Sequence, residues 1–379
     1  MSTTASQVPH SVTWPVTGAW REGDPVGDRR FVELPGIGLE LGGELAGVRL
    51  AYETWGTLSP ARDNAVLVLH AMTGDSHATG MPGPGHPSAG WWQGVIGPGL
   101  GFDTDRWFMV CPNVLGGCQG STGPSSPAPD GAPWGSRWPV TTIRDQVAVE
   151  FGFADALGID RWAAVAGGSM GGMRALEWAL CAPERVQRMI VMAASAEASA
   201  DQIGTCSIQI DAIRSDPHWL GGDYYDDPVG PHVGMGLARR VAHLTYRTAH
   251  EVDTRFGRAW QGGLDPLRGG QFAVQSYLQH AEDGLRARFD AGTYVALTAA
   301  MNSHEIGRGR GGSRAALRRL RAEPTVIGVD SDRLYPPHQQ VELAEMLGVD
   351  PVVLQSERGH DGFLVEVDQV NKALAAALA

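Results

Sequence analysis

Lysine is nearly missing from this 379-residue chain, with Lys372 the single one among 30 basic side chains. A GC-rich coding sequence produces such a bias, so no arginine here is informative by its presence alone. The same scarcity rules out a phosphate-binding G-x-x-x-x-G-K-[ST] loop, because Lys372 sits in the last helix-like stretch. Cysteine is scarce as well. Cys111, Cys118, Cys181 and Cys206 are too few to staple a chain of this length. Cys111 and Cys118 also lack the second pair that a zinc site needs, so no metal is expected. No apolar run reaches the roughly 18 residues of a membrane-spanning helix. The start, MSTTASQVPHSVTWPV, has neither the basic end nor the apolar stretch of a secretory signal. Charged residues are only 19% and the net charge is −12, so phosphate backbones and anionic lipid repel the chain. These absences predict a soluble cytoplasmic protein whose partners are neither nucleic acid nor membrane.

What remains is an ordinary globular composition, 43% hydrophobic, with length for two domains or one large domain carrying an insertion. Residues 1–28 are polar and irregular and read as a loosely held arm. From Arg30 to Thr57, alternating segments such as Val48-Arg49-Leu50-Ala51-Tyr52 predict antiparallel strands. Ala65–Leu69 is continuously apolar, the pattern of a strand buried on both faces. Similar runs recur at 107–111, 162–166, 189–193, 325–329 and 352–354. Helical stretches at 142–157, 172–180 and 339–347 separate several of them, and a last helix follows Val367. Strands alternating with helices predict a mostly parallel sheet covered on both sides. Between about 198 and 321 the alternation stops and helical periodicity takes over. This stretch reads as a helical lid inserted before the final strands, dividing the core into 29–197 and 322–379.

The strongest local signal is Gly167-Gly168-Ser169-Met170-Gly171, between a buried strand and a helix. A G-x-S-x-G in that context is a nucleophile elbow, whose tight turn needs small residues around an exposed serine. The bland alternative is a tight structural turn. An elbow serine requires a carboxylate and then a histidine later in the chain. Asp330-Ser331-Asp332 and Gly359-His360-Asp361 both follow buried strands. Asp332 and His360 are therefore the expected partners, with Asp330 the rival carboxylate. The backbone N–H of Met170 should form half of an oxyanion hole. The other half should come from the loop His70-Ala71-Met72-Thr73-Gly74-Asp75, at Met72. His70, His77 and His304 read as structural. The arginines at 308, 310, 314, 318, 319 and 321 read as a solvated face, or else as a seat for a phosphorylated cofactor.

Several longer segments resemble one family, the homoserine O-acyltransferases of the α/β-hydrolase superfamily. They are Tyr52-Glu53-Thr54-Trp55-Gly56, His70–His77, Asn113–Pro124, Gly168–Met173, Leu244-Thr245-Tyr246-Arg247, Asp253-Thr254-Arg255-Phe256 and Gly359–Leu364. The second and third are far more specific than the elbow. Met72 stands where many members carry leucine. The resemblance implies an α/β-hydrolase fold and a ping-pong transfer of an acetyl group from acetyl-CoA to L-homoserine, on the way to methionine. It implies Ser169 as acylated nucleophile, His360 as base and Asp332 as its orienting partner. By the same resemblance, Arg239 would hold the homoserine carboxylate and Asp361 would lie against its amino group. It further implies a homodimer joined through the lid, with acetyl-CoA as co-substrate and no permanently bound cofactor. A succinyl donor, serine as acceptor, or plain ester hydrolysis are the alternatives.

Overall fold

The computed structural model describes residues 14–379. Its central sheet has eight strands: β1 (Arg30–Gly38), β2 (Glu44–Trp55), β3 (Ala65–Leu69), β4 (Phe108–Pro112), β5 (Ala164–Gly168), β6 (Arg188–Met192), β7 (Glu323–Val329) and β8 (Val352–Leu354). Their spatial order is β1-β2-β4-β3-β5-β6-β7-β8. β2 runs antiparallel to both β1 and β4, and every other pairing is parallel. The pattern of exposure explains the split. β3 and β5 are buried at every residue, whereas β1 buries only Leu34 and β2 mixes buried with exposed residues.

Helices α1 (Ile143–Ala156) and α2 (Met170–Cys181) precede and follow β5. Thr142 starts α1 with a capping box, its hydroxyl taking the Asp145 N–H while the Asp145 carboxylate takes the Thr142 N–H. Then α3 (Ala200–Arg214), α4 (His232–Tyr246), α5 (Ala249–Phe256), α6 (Ala273–Arg286), α7 (Ala291–Asn302) and α8 (Ser313–Leu317) lie between β6 and β7. The chain closes with α9 (Pro337–Leu347), α10 (Gly362–Val365) and α11 (Val367–Ala377). One apolar cluster joins Ile213, Met235, Ala238, Leu285 and Tyr294 from this insertion to Met72, Met170 and Met173 of the core. The lid is thus seated by shared packing on the edge of the sheet that carries Ser169. Among the described residues no helix is long and apolar enough to cross a membrane.

Two local expectations need correction. The lid is not purely helical, since Trp260–Gln261 pairs with Gln271–Phe272 in a short antiparallel ribbon. Two paired residues per strand are too short to leave a hydrophobic rhythm. Residues 14–28 lack regular structure but are not loose. The Gly18 N–H donates to Phe289 O, Trp20 N–H to Cys118 O, and the Thr17 hydroxyl to Asp290. Residues 1–13 lie outside the described part. α4 carries an apolar side of Leu237, Val241 and Leu244, and it is not the side packed on the core. Instead Met235, Ala238 and Ala242 face inward, and Leu237 and Leu244 stay exposed. Small side chains let α4 approach its neighbours closely, leaving the bulky stripe outside.

Candidate active site

The elbow geometry follows from missing side chains. Ser169 has φ +56 and ψ −124, a strained setting for a non-glycine residue. The turn closes so tightly that a Cβ on Gly171 would lie 2.0 Å from Leu69 O, and one on Gly168 2.3 Å from Phe363. Ser169 N–H donates to Met192 O (2.9 Å), locking the turn onto β6. Immediately after it α2 begins, with no side-chain cap on its first N–H groups, so its positive end is available to developing negative charge. Among the described residues, neither Met170 nor Met72 spends its N–H on a protein acceptor. Met72 lines the cavity beside Ser169. Behind the elbow Arg174, fully buried on α2, pairs with Glu150 of α1, which also accepts from Trp178 Nε1 (2.6 Å).

His360 and Asp332 meet 2.7 Å apart, through Nδ1 and Oδ2. The other carboxylate oxygen, Oδ1, accepts from Leu334 N (2.8 Å) and Tyr335 N (2.9 Å). Asp332 is 3% exposed and wholly satisfied. Asp330 instead ties down the loop after β8, accepting from Ser356 N (2.9 Å), and is exposed. Two residues along the chain thus separate the two carboxylates into different tasks. Burial disfavours a charge on His360, but the adjoining Asp332 carboxylate outweighs it and raises the imidazole above its ordinary 6.5. Tyr335 stacks on the imidazole at 5.2 Å, and Phe363 meets it edge-on at 5.5 Å. These aromatic walls hold the ring plane and keep water from it.

Ser169, His360, Met72, Arg239 and Asp361 all line one cavity of about 200 Å³. Arg239 reaches it from α4. Its Nε and Nη1 are buried without a partner, and its guanidinium lies 5.8 Å from the Tyr246 ring. The neighbouring Arg240 is committed elsewhere, to Glu282 (2.9 Å). Asp361 ion-pairs with Arg247 at 3.2 Å. Burial raises its carboxyl above the usual range, while Arg247, His360 and Arg239 oppose that shift.

Sequence reading did not find Trp91, Tyr246, Arg288 and Leu334 as cavity walls. Arg288 is one of many arginines, and nothing local distinguishes it. The arginine cluster near 310 is partly spent on ion pairs, Arg308 with Glu40 and Arg310 with Glu177. His70 is buried and accepts from Val114 N, and its pKa is pushed by burial down to about 3, so it stays neutral. Another cluster was also missed. Asp28, Glu53, His77 and His86 bring ligand-type atoms within 4.8 Å of one another. The two imidazoles stack face to face, 3.8 Å apart and 11° from parallel, and His77 Nδ1 is engaged by Glu53 (2.9 Å). Parallel rings direct their in-plane lone pairs side by side rather than at one point, a poor fit to a metal ion.

Similarity places this geometry. Residues 64–366 match the family model described as alpha/beta hydrolase fold. A homoserine O-acetyltransferase of Thermobifida fusca is 63% identical over 369 residues, 96% of this chain and 97% of that protein. The crystal structure of esterase E22 superposes with a TM-score of 0.85 at 26% identity, covering 93% of this chain and 99% of that one. That of homoserine O-acetyltransferase from Bacillus anthracis gives 0.84 at 27%, covering 92% and 97%. Overall shape therefore does not separate an esterase from a transferase, but the close sequence relatives do. This chain belongs to the homoserine O-acetyltransferase family, built on the alpha/beta hydrolase fold.

Proposed function

We propose that the protein transfers an acetyl group from acetyl-CoA to the hydroxyl of L-homoserine through an acetyl-Ser169 intermediate. Free serine is a poor nucleophile, and a thioester is an activated donor. His360 Nε2 takes the Ser169 proton as Oγ attacks the thioester carbonyl, and Asp332 stabilises the imidazolium. The N–H groups of Met72 and Met170 receive the oxyanion. Collapse expels the CoA thiolate, which leaves with the proton from His360. The homoserine hydroxyl then gives its proton to His360 and attacks the acetyl-serine, and the proton returns to Ser169 as O-acetylhomoserine departs. Soluble substrates of this kind, consumed on the way to methionine, suit a cytoplasmic enzyme.

The observation that carries this reading is the orphaned guanidinium of Arg239. Ester hydrolysis has no use for an unpaired buried cation beside the nucleophile. An amino-acid acceptor does, because its carboxylate fits the two parallel donors of an arginine. Asp361 would receive the ammonium group, sharing itself with Arg247. Arg239→Ala should therefore spare acylation of Ser169 and impair its deacylation by homoserine. Losing such a pair costs about 2–5 kcal/mol, or roughly 30- to several thousand-fold in kcat/KM for homoserine. Rapid-quench kinetics should show a near-normal burst of CoA and then a slow steady state. A burst lost as completely as turnover, or unchanged homoserine kinetics, rules the assignment out.

We also propose a homodimer through the lid. Val233 is 66% exposed, Leu237 47% and Leu244 45%, at helical spacing along one side of α4, an unpartnered apolar stripe that a second copy would cover. Sedimentation at micromolar concentration should give a dimer, and Leu237→Arg with Leu244→Arg should give a monomer. A monomer before substitution defeats the proposal.

A further inference from the structure

Two of the family-like segments, His70–His77 and Asn113–Pro124, meet at an imidazole that the mechanism above does not use. His70 follows directly on β3 and is wholly buried. Its Nε2 lies 3.0 Å from Val114 N, and its Nδ1 lies 2.8 Å from Ala71 O. A backbone N–H can only donate, so Nε2 must be bare. Burial pushes the pKa of the ring down to about 3, so near neutral pH it carries a single proton. That proton is left on Nδ1 and is donated to Ala71 O. The protein thereby fixes the tautomer. Gly74 N–H gives the same carbonyl a second bond, at 2.9 Å. A Cβ on Gly74 would lie 2.9 Å from His70 Cβ, so glycine lets the loop fold over the ring.

The Val114 donor is itself held from behind. Ala51 N–H donates to Ser121 Oγ (3.1 Å), and the Ser121 hydroxyl donates to Asn113 O (2.6 Å). Asn113 O and Val114 N–H belong to one peptide, as do Ala71 O and Met72 N–H. A trans peptide directs its two polar groups to opposite sides. The links from Ala51 to Met72 therefore form one buried chain in which every donor points the same way. Met72 N–H is its open end, with no protein acceptor among the described residues, on a residue that lines the cavity of Ser169. We propose that His70 is a positioning residue, which holds the Ala71–Met72 peptide by its carbonyl and so keeps the Met72 N–H turned to the oxyanion. Loop 113–124 fixes the tautomer that lets it do so. The proposal rests on the acyl-serine reading above, but not on the identity of the acceptor. The Gly74 bond lies within the loop and turns with it, whereas the imidazole is tied to a separate segment. Without the imidazole the plane is free to rotate, and a donor aimed away leaves the oxyanion with Met170 N–H alone.

His70→Leu and His70→Asn test this role. Both deprive Val114 N–H of its imidazole acceptor, so a merely structural loss is common to them. The asparagine NH2, however, sits as many bonds from Cα as Nδ1 does and can still donate to Ala71 O. His70→Leu should lower kcat about a hundredfold, the usual cost of one oxyanion donor. The KM values for homoserine and acetyl-CoA should stay within about threefold. Acylation by p-nitrophenyl acetate should fall by the same factor as kcat. Trifluoroacetone, whose carbonyl carbon Ser169 Oγ attacks to leave an oxyanion, should bind correspondingly more weakly. His70→Asn should restore most of all three. A folded His70→Leu variant with kcat within about threefold of the unaltered protein overturns the role, as does an asparagine variant equally impaired. The unaltered protein gives a readout that needs no variant to fold. Nitrogen NMR of the histidine-labelled protein should place the His70 proton on Nδ1 at every pH at which the fold persists. A proton on Nε2, or titration near neutral pH, also overturns the role. If the unaltered protein reacts with neither p-nitrophenyl acetate nor acetyl-CoA, the acyl-serine reading itself is refuted and the role of His70 falls with it. A reactive protein with an unaffected leucine variant refutes the role of His70 alone.

Discussion

Ser169→Ala should abolish both CoA release and product formation while leaving the protein folded. In a hydrolase triad the nucleophile acts as one unit with its base, and removing it costs on the order of a millionfold in kcat. In the proposed mechanism Oγ bonds the acetyl group, and no other hydroxyl at the elbow tip can take over. Folding should be nearly untouched, because Ser169 is held by backbone contacts, its N–H to Met192 O and its carbonyl to the N–H groups of Gly172 and Met173. Ser169→Gly should be equally inactive but more stable, since glycine adopts φ +56 without the strain of about 1–3 kcal/mol that a side chain suffers there. Steady-state assays with thermal melts test both points. Substantial acyl transfer by a folded alanine variant would refute the covalent mechanism.

The second large effect is expected from Asp332→Asn. Oδ1 is pinned by two backbone donors, Leu334 N and Tyr335 N. An asparagine must keep its own oxygen there, so its amide nitrogen takes the place of Oδ2. That nitrogen faces His360 Nδ1 and forces the ring to carry its proton on Nε2, where the base has to be empty. In a serine protease the equivalent change lowers kcat about ten-thousandfold, and a loss of that order is expected here. A pH signature should accompany it. With Asp332 ionised the imidazole pKa lies above 6.5, and a base works only when neutral, so kcat/KM should fall as pH drops through that raised value. Without the carboxylate, burial is no longer outweighed, and the acid limb of the residual activity should move to lower pH. Asp330→Asn should retain most activity and leave the limb in place, because Asp330 meets Ser356 rather than the imidazole. A limb that moves with Asp330 and not with Asp332 reverses the assignment.

The proposed nucleophile and base were legible because each is written locally. The elbow needs glycines at 167, 168 and 171 around Ser169, and His360 follows a short apolar run in a glycine-bearing loop. The central strands β3 to β6 were legible for a similar reason, since burial on both faces demands continuous apolar runs. The choice between Asp330 and Asp332 was only ordered by preference. It turns on which carboxyl meets the backbone donors of 334 and 335, and a donor N–H leaves no trace in residue type. Arg239 and Arg240 are likewise equivalent as letters. Glu282, 42 residues further on, claims Arg240 and leaves Arg239 Nε and Nη1 unpaired in the cavity that Ser169 also lines.

The outward apolar side of α4 shows what local periodicity leaves open. Apolar periodicity reports that a helix has a bulky side, not which side its neighbours can accommodate. Close packing against α3 and α6 selected the small residues Ala238 and Ala242 for the interior and turned the leucines outward. By itself, then, the sequence determined the sheet, the elbow, the histidine and the place of the lid, because hydrophobic rhythm and turn chemistry act between near neighbours. The tertiary structure alone decided which carboxylate meets His360, which arginine shares the cavity of Ser169, and which stripe of α4 is left bare. Those outcomes depend on contacts between residues far apart in the chain, where charge, close packing and backbone donors from separate segments meet.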